Sequence, residues 1–245
     1  MANFTKYFGS VLPKECQFFD INSKDRQFGS NVQFQTKNVF NTNARAFVLR
    51  GVCFPWMCYS INSYYNKFIV GSNVYTITEA NYTPQTLLTE INTIQSEVVL
   101  TYTSATNKYT FTSVSSKTIV FDYRNNDLAK FFGFNENSSN VVNTSLTSSY
   151  PLQFTYTRWI DICSDALSQD AGANLAMPIN SVVRVPVQTV PYGSTYFYQD
   201  NFPRLLGNSI DRAVNSIDIT ILDDRGRVLN IPANSEFDIL MDKYQ

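Results

Sequence analysis

Asp161 and Asp165 stand four residues apart, the separation that puts two carboxylates on one face of a helix, and two acids are the least equipment general acid–base catalysis needs. They lie among turn-forming residues, where a carboxylate is ordinarily solvated or caps a turn, and acid–base work would also require a cleft around them. Asp20, Asn22 and Asp25 suggest a cation loop, but the glycine and terminal glutamate of a calcium loop are missing, so a solvated turn is expected. Cys53 and Cys58 suggest half of a zinc site. Tetrahedral zinc takes four nitrogen or sulfur ligands and the chain has no histidine, which leaves only an all-cysteine arrangement. The missing histidine also removes Ser-His-Asp and Cys-His nucleophile systems. There is neither a phosphate loop nor a dinucleotide fingerprint. Carboxylate-only glycoside hydrolysis survives, since it needs just two acids roughly 5 to 9.5 Å apart. The expectation is a non-enzyme that holds no metal and no cofactor.

Charge does not select a partner either. Nineteen Lys and Arg oppose 20 Asp and Glu, leaving a net charge of −1, so no strong field draws nucleic acid or an anionic membrane, and direct nucleic-acid binding is not expected. No apolar run reaches the roughly 18 to 20 residues that span a bilayer, and the first residues lack the basic start and apolar core of a signal peptide. Synthesis in a reducing compartment follows as an expectation. Cys16, Cys53, Cys58 and Cys163 are then free thiols in apolar strands. The Asn-x-Ser/Thr triplets at Asn3, Asn81, Asn137 and Asn143 read as chance in an asparagine-rich chain.

The positioning elements are mostly strands. Asn (25), Ser (23), Thr (22), Phe (19) and Tyr (15) are the turn formers and strand formers of a β-rich protein. Only in residues 74–134 does the hydrophobic period change from two to nearly four and back. There a strand at 74–78 is followed by a turn at Asn81-Tyr82-Thr83-Pro84 and a helix whose apolar face is Leu87, Leu88, Ile91 and Ile94. A hairpin of 98–103 and 108–114, a strand at 118–123 and a short helix at 126–134 stopped by Gly133 complete the segment. Around it, 17–21, 32–34, 46–49, 182–187, 196–198, 216–222, 228–231 and 237–241 alternate as strands. The stretch 52–59 reads as the neighbour of 46–49, broken by Pro55. From 151 to 162 the alternation resumes, and 135–149 reads as a polar linker. Eight or more short strands interrupted by one mixed module fit a jelly roll with an insertion.

Asn81-Tyr82-Thr83 leading into the Leu87-Leu88 helix, with Phe132-Gly133-Phe134 closing the second helix, resembles capsid proteins of large eukaryotic DNA viruses and their virophages. The stretch from Ser216-Ile217-Asp218 to Asp224-Arg225-Gly226 is similar to the last hairpin of their minor capsid or penton-like vertex proteins. The resemblance implies an all-β, mainly antiparallel single jelly roll carrying a small inserted α+β module. Its parts would be an arm at 1–15, the jelly roll at 16–62 and 150–245, and the insertion with its linker at 63–149. It implies a structural protein of the virion, made in the host cytoplasm. Its partners would be itself, as a homopentamer at a capsid vertex, and the major and other minor capsid proteins. A minor or cementing capsid protein is the alternative, as is a carbohydrate-binding jelly roll that stacks sugar on Trp56, Trp159 or a surface tyrosine. For a subunit interface the sequence offers Phe54, Trp56, Met57, Tyr192, Tyr196 and Tyr198, apolar residues in stretches that proline or glycine draws away from regular pairing.

Overall fold

The computed structural model describes residues 16–36, 46–121, 127–134, 140–154, 157–167, 180–199, 205–206 and 216–244. The expected arm at 1–15 therefore lies outside the described residues. In chain order the strands are β1 (Cys16–Asn22), β2 (Phe28–Gly29), β3 (Gln33–Thr36), β4 (Ala46–Pro55), β5 (Lys67–Val70), β6 (Asn73–Thr76), β7 (Val99–Thr103), β8 (Lys108–Thr112), β9 (Lys117–Phe121), β10 (Asn140–Val142), β11 (Ser145–Thr147), β12 (Trp159–Cys163), β13 (Ser181–Pro186), β14 (Thr195–Gln199), β15 (Leu205–Leu206), β16 (Ile217–Asp223) and β17 (Asp238–Tyr244); the helices are α1 (Pro84–Ile94) and α2 (Asp127–Phe131). They divide between two compact units, Met1–Met57 with Thr157–Gln245, and Cys58–Tyr156.

The first unit holds two antiparallel sheets, ordered β1-β17-β4-β14, with β15 beside β4, and β13-β12-β16-β3-β2. If the eight longer strands β1, β3, β4, β12, β13, β14, β16 and β17 are numbered one to eight, the sheets read 1-8-3-6 and 5-4-7-2. That interleaving is the jelly roll, and the second unit is inserted between its third and fourth strands. Period-two burial explains each strand. On β16, Ile217, Ile219 and Ile221 are buried while Asp218, Thr220 and Leu222 lie half out.

Two expectations fail here for local reasons. Residues 46–49 and 52–59 are not neighbouring strands: 46–55 is one ten-residue strand. Its pairing with β17 shifts between Leu240↔Gly51 and Met241↔Leu49, so Arg50 has no opposite residue and forms a bulge. The bulge lets Phe47 and Leu49 on one side, and Val52 and Phe54 on the other, all face inward, which breaks the sequence period in the middle of the strand. Residues 228–231 do not form a strand either. Past Asp223, whose carboxylate accepts from the backbone N–H of Arg225 and Arg227 at 2.9 Å each, the chain returns to β16 through the single bridge Leu222↔Val228, with Asp223 N–H to Arg227 O at 2.7 Å and Leu229 N–H to Ile221 O at 2.9 Å.

The second unit packs the sheets β10-β9-β5-β6 and β11-β8-β7 with α1 and α2 around one apolar core, in which Tyr65, Tyr109, Phe68, Phe111, Phe131 and Phe132 are fully buried. Helix α1 starts as its sequence dictates. Thr83 Oγ1 accepts from Thr86 N at 3.2 Å, Thr86 Oγ1 accepts from Thr83 N at 2.9 Å, and Pro84 takes the first helical position. Leu87 and Ile91 are its fully buried residues. Helix α2 ends where Gly133 turns to φ +76°, and a Cβ there would lie 2.1 Å from the Tyr150 carbonyl oxygen. The stretch read as a polar linker is a correction. Residues 135–139 lie outside the described residues, but 140–149 contain β10 and β11, paired to β9 and β8. One fully buried apolar side chain, Val142, among so many Asn, Ser and Thr left the period unreadable. Residues 151–154, expected to resume the jelly roll, pack on this core instead, with Phe154 edge-on to Phe131 at 4.4 Å.

The outer edge of β7 is closed by side chains. Asn92 Nδ2 donates to Leu100 O at 2.9 Å and Asn92 Oδ1 accepts from Leu100 N at 2.8 Å, while the Gln95 amide does the same for Val98 at 2.6 and 3.0 Å. One amide from α1 and one from the residue that caps its end thus stand in for a missing strand and keep the edge from templating another chain. Beside them Glu97 accepts from Lys117 Nζ and Tyr75 Oη at 2.7 Å each and from Asn73 Nδ2 at 2.8 Å, tying β9, β6 and the α1–β7 connection together. Asn92→Ala should lower stability by about 1–3 kcal/mol, because both polar groups of Leu100 lose their partner; an unchanged urea midpoint would refute the plug. Lys117, Asn73 and Tyr75 together hold the Glu97 carboxyl down at about 2 from an ordinary 4.5. A depressed folded-state value means stabilisation fully present above about pH 4.5 and lost as pH falls towards 2. Glu97→Gln should therefore flatten the acid limb of a thermal-stability-against-pH curve in that window.

Candidate interaction surface

The six aromatic and methionine positions expected at an interface do not share one surface. Phe54 is 1% exposed, stacked on Phe237 with centroids 4.8 Å apart and edge-on to Trp56 and Tyr196. Trp56 is also buried, its backbone bonded to Ser194 O and Gly193 N at 2.8 and 2.7 Å, and Met57 Sδ accepts from Ser235 Oγ at 3.4 Å. Tyr196 and Tyr198 are half-buried on the Phe54 side of β14, and Tyr192 is exposed.

The residue that faces outward is the one between the two tyrosines. Phe197 pairs with Cys53, is 53% exposed, and lays its ring over Gly51, whose missing side chain leaves room for it: a Cβ would come within 3.2 Å of that ring and 2.7 Å of Tyr198 O. Strict alternation would have found it, because Tyr196 lies opposite the inward Phe54 and its neighbour must point away. Phe18 on β1 is a second exposed aromatic of this outer face, at 61%. Between them the face turns acidic. Asp238 and Asp20 project from β17 and β1, with Asp25 and Glu236 in the adjoining turns. Burial, then the negative charges of Asp20, Glu236 and Asp25, raise the Asp238 carboxyl against the opposing pull of Lys24. Asn22 Nδ2 donates to Asp238 Oδ1, and Asn22 Oδ1 accepts from Lys24 N at 2.8 Å.

The outer face of the other sheet is arranged differently. Arg184 grips Asp161 with both arms, Nε to Oδ1 at 2.8 Å and Nη2 to Oδ2 at 2.9 Å, and its guanidinium lies 4.7 Å from the Trp159 ring centre. Arg158 lies 4.5 Å from the same ring and bonds Asp224 at 3.1 Å, and Asp224 also takes Arg225. Arg227 pairs with Asp223, which falls on the buried side of β16 after Ile221. In every pair the carboxylate is underneath. The Arg158 side chain is 58% exposed while that of Asp224 is 0% exposed, so the surface presented is guanidinium and indole.

Asp161 is committed to Arg184, while Asp165 accepts from Asn180 Nδ2 at 2.9 Å and donates its backbone N–H to Asp218 at 2.9 Å, so the two acids serve separate bonds. Cys53, Cys58 and Cys163 form no disulfide, and burial, aided by Asp161 and Asp165, pushes the Cys163 thiol up to about 12, far from a reactive thiolate. Among the described residues no group of three or more acidic or cysteine side chains is placed to hold a metal ion, and no helix is long and apolar enough to cross a membrane. Trp56 is buried and the Trp159 ring is occupied by two guanidiniums, so neither offers a bare stacking face to a sugar.

No family profile matches the chain, and no curated protein does. Among solved structures, the chain is similar to the mavirus penton protein at 10% identity and a TM-score of 0.49, over 94% of this chain and 99% of that one. It is also similar to a chain of the Sputnik virophage structure determined by electron cryo-microscopy, at 14% identity and a TM-score of 0.44, over 94% of this chain and 97% of that one.

Proposed function

We propose that this chain is a structural protein of a DNA-virus capsid, a penton-like vertex subunit that works by assembling with copies of itself into a ring of five and meets the other capsid proteins at its rim. The observation that carries the reading is a jelly roll whose outer faces hold exposed Phe18 and Phe197 on one side and an arginine-ringed Trp159 on the other. Capsid subunits and lectins are both built on this fold. A lectin requires an uncovered aromatic platform, which the tryptophans here do not give and exposed Tyr150 or Tyr192 would have to, whereas outward aromatic and arginine residues are types enriched at protein interfaces. The capsid resemblance of residues 81–83, 132–134 and 216–226 adds to this. In a closed ring each contact is heterologous, one patch meeting a different patch of the next copy.

Native mass spectrometry and light scattering over a concentration series should find a pentamer. A chain monomeric at every concentration overturns self-association, and another closed stoichiometry overturns the vertex position. Phe54→Ala and Phe197→Ala should separate core from contact. The first should lower stability by about 3–5 kcal/mol, as truncation of a buried phenylalanine does. The second should leave the melting temperature in place and weaken association by about 2 kcal/mol per contact, the cost of losing an anchor.

A further inference from the structure

The two outer faces of the jelly roll carry opposite charge patterns. On the first, Asp20, Asp25, Glu236 and Asp238 crowd one corner and outnumber the two cations there, Lys24 and Arg26, the latter bonded to the backbone carbonyls of Ser23 and Gly29. Phe18 stands exposed on the same strand as Asp20. On the second, Arg158, Arg184 and Arg225 overlie the buried Asp161 and Asp224, and Arg158 and Arg184 frame Trp159. Neither patch can dock on its own image, because like charges would meet. Each complements the other.

Resting on the reading of the chain as a ring-forming subunit, we propose that the Arg158–Trp159–Arg225 patch of one copy docks on the Asp20–Asp25–Glu236 corner of the next, with Phe18 beside the guanidiniums. A contact between two different patches on two different sheets is the heterologous kind that a ring requires; a two-fold dimer would need one self-complementary patch. The arginines are held ready by the carboxylates beneath them, so little side-chain freedom is lost on docking, and tryptophan and arginine are the residue types that dominate binding energy at such centres. Exposed charges in register also set the rate and partner choice of association, and make both sensitive to salt.

The test follows the oligomer of the full chain by light scattering. Raising ionic strength from low to high should weaken wild-type association by about tenfold or more. Arg158→Glu, and separately Asp20→Lys with Glu236→Lys, should each weaken it to a similar extent, while all three substitutions in one chain should restore it by pairing a negative patch with a positive corner. Circular dichroism checks each variant. If Arg158→Glu fails to fold, the Asp20→Lys/Glu236→Lys chain and the salt series decide. Wild-type rings indifferent to salt and to the lysine substitutions overturn this pairing and leave the ring itself standing. A triple variant no better than its parents overturns it too. A wild-type chain that is monomeric throughout overturns both the pairing and the proposed function.

Discussion

Strand β4 has to satisfy three neighbours at once, and the jelly roll depends on how it does so. Along one edge it pairs with β17 from Ala46 to Cys53; along the other it meets β15 at Phe47 and Val48 and β14 from Gly51 to Pro55. A regular ten-residue strand would keep one face inward throughout. By carrying the extra Arg50, β4 keeps Phe47 and Leu49 on the same side as Val52 and Phe54, and each half feeds the core. The excess residue is used as well, since Arg50 reaches Asp242 at 2.5 Å and neutralises a buried carboxylate. Gly51 follows directly because the Tyr198 carbonyl approaches where a Cβ would be, and the vacancy it leaves is where Phe197 lies.

The same bulge explains what was legible in the sequence. Where a strand or helix kept its period, the residues announced it: Ile217 to Ile221 as a strand, Leu87 to Ile94 as a helix with its Thr-Pro start, Leu128 to Phe132 with its glycine stop. Where geometry broke the period, the reading broke too, and one strand looked like two. Strands β10 and β11 were hidden differently. Three residues long, with Val142 the one fully buried side chain, they depend on the ladders of β9 and β8 for their existence, and no local pattern records a partner. Two of the expected interface residues lie in the core for a third reason. Aromatic character marks core and contact alike, so Phe54 and Trp56 were chosen on a property they share with Phe197, and only the side of the strand tells them apart.

Electrostatics explains how a chain of net charge −1 can still have directional surfaces. Asp161, Asp223 and Asp224 are tolerated in buried positions because each meets a guanidinium directly, in one case with both arms. Burying the acid and exposing the base makes a patch whose charge count is nearly balanced but whose outer layer is cationic. At the acidic corner the layer is not balanced, and the Asp238 carboxyl there is raised first by burial and then by the negative charges of Asp20, Glu236 and Asp25.

The pairing of β1 with β17 sets an order of events on the ribosome. Asn22 and Asp238, bonded to each other, are 216 positions apart, so at about 5–20 residues per second the first strand waits roughly 10–40 s for its neighbour. Strand β4 waits for that neighbour too, with Phe47, Leu49, Val52 and Phe54 uncovered meanwhile. Residues 58–156, by contrast, hold all of their sheet partners within one continuous stretch and can close while the jelly roll is still half made. The insertion is thus the first body of the nascent chain to become native, and the shell around the long pairings is the last. In the interval between them the apolar residues of β4 are open to aggregation.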